Sequence, residues 1–242
     1  MNVLPGGSTR GAVVTLGLYA DYGVGARLYD IDGNCYLDGV NNYMALIHGH
    51  AHPPTVEAII AQSRKGTCFG MATEAELELA ELIAARVGVV EKIVFCSTGS
   101  EAVMHDMKGA RGLARRQKIA KCEGLYHGSY DFAEVSNAPV KGNDRHPRSQ
   151  PYGAYTPQSV LDDVVVLPFN DIALSEEIIR LNADSLAGIV IDLAPSRLGY
   201  RLADPAYLRS LRTLCDELGI VLIFDEVASF RAAVGGAQSY FD

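Results

Sequence analysis

The chain has 242 residues, 48% hydrophobic and 21% charged, enough for one large globular domain or a domain with an appendage, and too apolar for a disordered chain. A formal net charge of −8 argues against a general nucleic-acid binder, which would carry a basic face. Five cysteines (Cys35, Cys68, Cys96, Cys122, Cys215) form no CxxC pair, and Met1–Arg10 lacks the apolar core of a secretory signal. No apolar run nears the ~20 residues that span a bilayer. The expectation is a soluble, cytoplasmic protein with reduced thiols and neither a nucleic-acid nor a membrane partner.

The opening, Leu4-Pro5-Gly6-Gly7-Ser8-Thr9-Arg10, is rich in turn formers. Arg27–Tyr29 and Cys35–Leu37 flank Asp30-Ile31-Asp32-Gly33-Asn34, whose Asp-Gly-Asn tip predicts a hairpin. His48-Gly49-His50-Ala51-His52 alternates histidines but lacks tight metal-ligand spacing, so a turn before Pro53 is expected and no metal site is assigned. From Pro53 and Pro54 the pattern changes to alternating helices and short apolar strands. Thr73 opens a helix with Glu76 three residues on, and Leu79, Leu82, Ile83 and Val87 are its expected buried stripe. Ile93–Cys96 reads as a strand, followed by a helix with Val103, Met107, Ala110 and Leu113 on one face. Further strands are expected at Lys118–Cys122, Val164–Leu167, Gly188–Ile191 and Ile220–Phe224. The helix before the last strand is capped by Asp204, starts at Pro205, stops at Gly219, and turns Leu208, Leu211, Cys215 and Leu218 inward. Such alternation predicts an α/β fold, a mostly parallel sheet with helices on both faces. Ser136–Ser159, with five prolines or glycines, is expected to be a long mobile loop.

Three constellations carry chemistry. Phe95-Cys96-Ser97-Thr98-Gly99-Ser100-Glu101 runs from strand through a small-residue turn into a helix. Its N-terminal amides, hydroxyls and dipole suit a phosphate, although Thr98 or Ser100 could equally be a plain N-cap. Glu101 must then point away from the anion. Glu123-Gly124-Leu125-Tyr126-His127-Gly128 follows a strand, where an aromatic ring can stack on a planar ligand and a histidine can hydrogen-bond beside it; a packed turn is the alternative. Asp225-Glu226 closes the apolar run Val221–Phe224, an expensive place for acids without a cationic partner. Either the pair holds magnesium, as in a nucleotide hydrolase, or Asp225 faces a pyridinium nitrogen. The P-loop pattern that the first role needs is absent from the sequence. Phosphate cup, aromatic platform and buried acid together describe pyridoxal 5′-phosphate.

The chain resembles the class III aminotransferases, and within them the glutamate-1-semialdehyde aminomutase-like branch. The resemblance rests on Tyr29–Asn34, Gly49-His50-Ala51-His52-Pro53, Thr73-Glu74, Ser97–Ala102, Glu123–Gly128, Asp225-Glu226-Val227 and Gly235-Gly236-Ala237-Gln238, in family order. It implies a fold-type I transferase: 1–52 would be an N-terminal segment of the small domain, and 53–242 a partial cofactor-binding large domain. By the same resemblance Thr98, Gly99 and Ser100 hold the cofactor phosphate, Tyr126 stacks on its ring with His127 close by, Asp225 pairs with the pyridine nitrogen, and Val227 packs on the other face. It further implies a homodimer that moves amino groups on amino or oxo acid substrates by Schiff-base chemistry.

The family's Schiff-base lysine follows the Asp-Glu-Val strand, beyond Asp242. No residue here is therefore given a catalytic role, and the chain alone is expected to be an inactive, C-terminally truncated portion. Late strands of the family would otherwise neighbour Ile93–Cys96. Where the family commonly has Glu-Pro after a strand, this chain has Asp192-Leu193 followed by Ala194-Pro195-Ser196-Arg197, and Arg10 falls too early to match the aminomutase's substrate-reading arginine. An aminotransferase therefore stands beside an aminomutase, with a non-catalytic cofactor-binding protein or a nucleotide hydrolase as alternatives.

Overall fold

Short aliphatic runs bury both faces only when paired side by side, and the computed structural model pairs four of them; it describes residues 3–4, 17–138, 147–153 and 155–241. The turn-rich residues 5–10 lie outside the described residues, as do 139–146 and 154 of the expected loop. Contacts divide the chain into two units, Met1–Glu74 and Ala75–Asp242.

In the first unit β1 (Ala20–Val24), β2 (Arg27–Asp30) and β3 (Cys35–Leu37) form an antiparallel meander. The expected hairpin is β2–β3, with Tyr29 opposite Cys35. Its tip closes on Asp30: Oδ1 accepts from the Asp32 and Asn34 amides at 3.0 and 2.8 Å, and Oδ2 accepts from the Tyr36 hydroxyl at 2.8 Å. The Asn34 side-chain amide, joined by these donors, holds the Asp30 carboxyl below the usual carboxylate range. After the short α1 (Asn41–Met44), His50 Nε2 lies 2.7 Å from Asp38 Oδ2 and the His48 and His52 rings stack, forming the turn into α2 (Pro53–Ser63).

α3 (Glu74–Arg86) begins directly after Thr73, as its sequence predicts. Its stripe is not buried: Leu79 and Leu82 are 46% and 47% exposed, and only Val87, just past the helix, is fully enclosed. Periodicity marks which face of a helix is apolar, but burial requires an opposing surface. The same reasoning corrects Ile93–Cys96, which forms no strand. A strand exists through its ladder partner, and this run has none among the described residues, leaving Val94 83% exposed.

The second unit continues through α4 (Gly99–Ala114), β4 (Lys118–Cys122), α5 (Asp131–Glu134), α6 (Gln158–Asp162), β5 (Val164–Leu167), α7 (Ile172–Leu181), β6 (Leu186–Asp192), α8 (Pro205–Leu218) and β7 (Val221–Asp225). The sheet is wholly parallel in the order β5-β4-β6-β7. Alternate strand residues face opposite layers. Ala120, Cys122, Leu167, Ile189 and Ile191 pack with Ile179, Leu211 and Cys215 of α7 and α8, whereas Ile119, Val190 and Ile223 pack with Val103, Met107 and Ala110 of α4. Leu113, expected on that face, is exposed in the last turn of α4. α8 starts and stops as expected: Asp204 accepts from the Ala206 amide at 2.8 Å, and Gly219 takes the left-handed φ of +65°. Both described ends of the expected loop are pinned, Ser136 N donating to the Gln150 carbonyl and Ser149 Oγ to the Val164 carbonyl.

Tyr207 is fully buried between the two helices and the sheet, its hydroxyl 3.1 Å from Ser175 Oγ and donating to the Pro168 carbonyl at 3.2 Å. Tyr207→Phe removes these bonds at constant shape and is expected to cost about 1–2 kcal/mol in urea unfolding.

Candidate cofactor site

Because β4, β6 and β7 run in parallel, their carboxyl ends share one rim. Asp192 and Asp225 are register partners there, and the segments after Cys122, Asp192 and Asp225 surround it. The N-terminus of α4 belongs to the same place. Thr98 caps that helix, Oγ1 accepting from the Glu101 amide at 3.1 Å, while Glu101 Oε2 reaches back to the Ser97 amide at 2.8 Å. The plain N-cap is thus realised, and it turns the Glu101 carboxylate away from the helix mouth. The Gly99 and Ser100 amides come before the first intrahelical bond and have no acceptor among the described residues.

Two further segments close on this mouth. Gly128 has a φ of +95°, and a Cβ there would lie 2.5 Å from Ser100 Oγ; that oxygen accepts from the Ser129 amide at 3.0 Å. From the other side a Cβ on Gly99 would stand 2.9 Å from Val227 Cγ2. His127 Nδ1 lies 2.7 Å from Asp225 Oδ2, and Asp225 Oδ1 accepts from the Val227 amide at 3.0 Å. The carboxylate selects the tautomer with the proton on Nδ1, so Nε2 is a buried lone pair without a partner. Burial lowers the His127 pKa despite the opposing pull of Asp225, which keeps the ring neutral. Tyr126 and Val227 both retain exposed apolar surface, with the Tyr126 hydroxyl 3.4 Å from Ser129 Oγ.

Gly99, Ser100, His127, Asp225 and Val227 are therefore brought together by direct contacts, and Tyr126 adjoins them in the same loop. Thr98 contributes a side-chain oxygen already engaged in capping. The acid pair divides: Asp225 turns to His127, while Glu226 accepts from the Ala237 and Gln238 amides at 3.1 and 2.7 Å, which accounts for the Gly-Gly-Ala-Gln motif. Among the described residues no group of three or more His, Cys, Asp or Glu could hold a metal ion.

Two cations lie outside the three sequence constellations. Lys121 is completely buried, donating to the Leu125 and Ala133 carbonyls and to Asn137 Oδ1 at 2.7–2.8 Å, and burial pushes its pKa down to about 7. It fixes the loop that carries Tyr126 and His127; a lysine between apolar residues of a strand was the available signal. Arg197, singled out only as a departure from the family pattern, sits with its guanidinium carbon 5.2 Å from the Tyr126 ring centroid.

A family model described as aminotransferase class-III matches residues 9–237. A glutamate-1-semialdehyde 2,1-aminomutase of Desulfitobacterium hafniense is 38% identical over 245 residues, covering 99% of this chain and 56% of that protein. The crystal structure of an omega-transaminase from Sphaerobacter thermophilus matches with a TM-score of 0.96 at 50% identity, over 99% of this chain and 56% of that one. A transaminase with PLP bound matches at 0.92 and 43% identity, with the same coverage of both chains. The chain spans about half the length of the curated relatives it matches.

Burial first, then the neighbouring Asp225 and Glu226, raise the pKa of Asp192 to about 6, although its Oδ1 accepts from the Ala194 amide. The folded chain therefore holds this proton between about pH 4 and 6 while the unfolded chain has lost it, so stability falls as pH rises through that window. Asp192→Asn keeps the Oδ1 acceptor and removes the charge. It is expected to gain about 2 kcal/mol over the parent chain at pH 7 and almost nothing below pH 4, read from urea midpoints across the range.

Proposed function

This chain belongs to the class-III aminotransferases, a pyridoxal-phosphate-dependent family, and from that premise we propose that it supplies the cofactor-holding part of an enzyme that transfers amino groups between amino and oxo acids. The observation that carries the reading is the convergence of two strand-end loops on a helix mouth with unmet amides, beside a buried acid oriented by a neutral histidine.

These residues fit the cofactor's three parts. Two free amides at the positive end of a helix, with the Ser100 and Thr98 hydroxyls, suit a phosphate. The exposed faces of Tyr126 and Val227 suit the two sides of an aromatic ring. Asp225 has one lone pair engaged on each oxygen and can accept a further donor; there it would hold the proton on the pyridine nitrogen. When bound, pyridoxal phosphate supplies an electron-poor ring that accepts the electron pair released at the substrate's α-carbon. His127 keeps the Asp225 carboxylate aimed and, being neutral, leaves its charge undiminished for the pyridine nitrogen. Lys121 has all three donors engaged in the loop and takes no part in the transfer.

Intermolecular transfer is favoured over the aminomutase reaction by the higher identity to the omega-transaminase, 50% against 38%. Within the parent protein, 1–52 would belong to a smaller domain and 53–242 to the larger. A homodimer accords with the exposed apolar residues of α3, and a cytoplasmic setting with five free cysteines. Among the described residues no helix is long and apolar enough to cross a membrane.

The reading is tested by equilibrium dialysis of the chain against 4′-deoxypyridoxine 5′-phosphate, which has no aldehyde to react with lysines. Saturable binding is expected, weakened about tenfold or more by Asp225→Ala and by Gly128→Ala, the latter driving a Cβ into Ser100. No binding, or equal binding by both variants, would overturn it.

A further inference from the structure

Arg197 lies in the turn Ser196–Leu198 that follows β6, on the rim where Asp192 and Asp225 end their strands. Its guanidinium is framed by two aromatic rings, 5.2 Å from the Tyr126 centroid and 5.4 Å from that of Tyr152. Nη1 donates to the Asn137 carbonyl at 3.1 Å and Nη2 to the Tyr152 hydroxyl at 3.3 Å. Every one of these partners is neutral. Arg180 and Arg212 are each paired with carboxylates, yet no Asp or Glu reaches Arg197 within ion-pair distance among the described residues, in a chain of net charge −8.

The side chain is exposed, and of its five N–H groups the Nε–H and one on each terminal nitrogen remain unengaged. Arg116 also donates to neutral groups, but it is half-buried with Nη1 shared among the Leu186, Leu218 and Gly219 carbonyls, whereas Arg197 is exposed. This one is held in place by neutral contacts, so much of its rotamer entropy is already lost, and its charge and part of its planar fork face solvent. That is the arrangement a carboxylate needs for two parallel hydrogen bonds.

We infer that Arg197 is the residue through which this site recognises the carboxylate of its amino or oxo acid substrate. The assignment rests on the proposed cofactor site, because Tyr126, which adjoins Arg197, is the ring expected to lie on the cofactor. A carboxylate on Arg197 would bring the substrate's amino group beside that ring. It also gives a role to the turn Ala194-Pro195-Ser196-Arg197, which departs from the family's usual sequence and carries the cation on the rim.

The test follows the Arg197 Nε–H resonance in ¹⁵N-labelled chain, identified by its disappearance in Arg197→Gln. The chain, with and without 4′-deoxypyridoxine 5′-phosphate, is titrated with alanine and, separately, with alaninamide, which lacks only the carboxylate. The resonance is expected to shift saturably with alanine and about tenfold less at equal concentration with alaninamide. Saturation transfer to alanine is expected to fall about tenfold in Arg197→Gln and to be only partly restored in Arg197→Lys, which keeps the charge but loses the fork. An unmoved resonance, or an equal response to both compounds, overturns the assignment even where the cofactor analogue binds. A response to alanine in a chain that does not bind the analogue supports carboxylate recognition by Arg197 and removes the cofactor reading instead.

Discussion

The 2.7 Å hydrogen bond between His127 and Asp225 joins residues 98 positions apart and sets the geometry of the rim. Each partner offsets the other's burial: the His127 N–H supplies a donor to Asp225 beyond the Val227 amide, and the carboxylate supplies the acceptor that a buried imidazole N–H needs. Together they fix the loop after β4 against the end of β7. Gly128, the next residue, is thereby delivered onto Ser100, and Val227, two residues past Asp225, onto Gly99. Two strand ends and a helix mouth meet where Asp225 takes one donor from the His127 ring and a second from the Val227 amide.

That arrangement separates the helix's structural needs from its ligand-binding capacity. Thr98 Oγ1 accepts from the Glu101 amide and the Glu101 carboxylate accepts from the Ser97 amide, so the start of α4 is capped with no ligand at its mouth. The two amides left over, those of Gly99 and Ser100, are the ones a phosphate can use. Capping and phosphate binding, competing readings of the same few residues, are compatible because they draw on different donors.

The rim's charges are also partitioned. Glu226 is spent on two backbone amides, Asp192 is pushed toward the neutral acid by burial beside Asp225 and Glu226, and His127 is held neutral. Lys121 is buried beneath the loop, with its donors consumed by carbonyls and an amide. Asp225 keeps a free lone pair suited to a protonated nitrogen, and Arg197 keeps free N–H groups suited to a carboxylate.

Features closed by bonds within a few residues were legible in the sequence: the Asp30–Asn34 tip, a cap at Thr98 or Ser100 that falls to Thr98, and the start and stop of α8 at Asp204 and Gly219. So were the four paired strands, whose β-branched runs suit a sheet buried on both faces. What the tertiary structure decided depends on partners far along the chain. Ile93–Cys96 has a strand's composition but no ladder partner, and Leu79 and Leu82 form an apolar stripe without a surface to cover it. The separate fates of Asp225 and Glu226, adjacent and chemically alike, were set by whether His127 or the turn at Ala237 stood opposite. The exposed charge of Arg197 was likewise set by which neighbours reached it. Capping and turn formation are decided by the local chain; pairing, burial and the assignment of charges require the segments that only folding brings together.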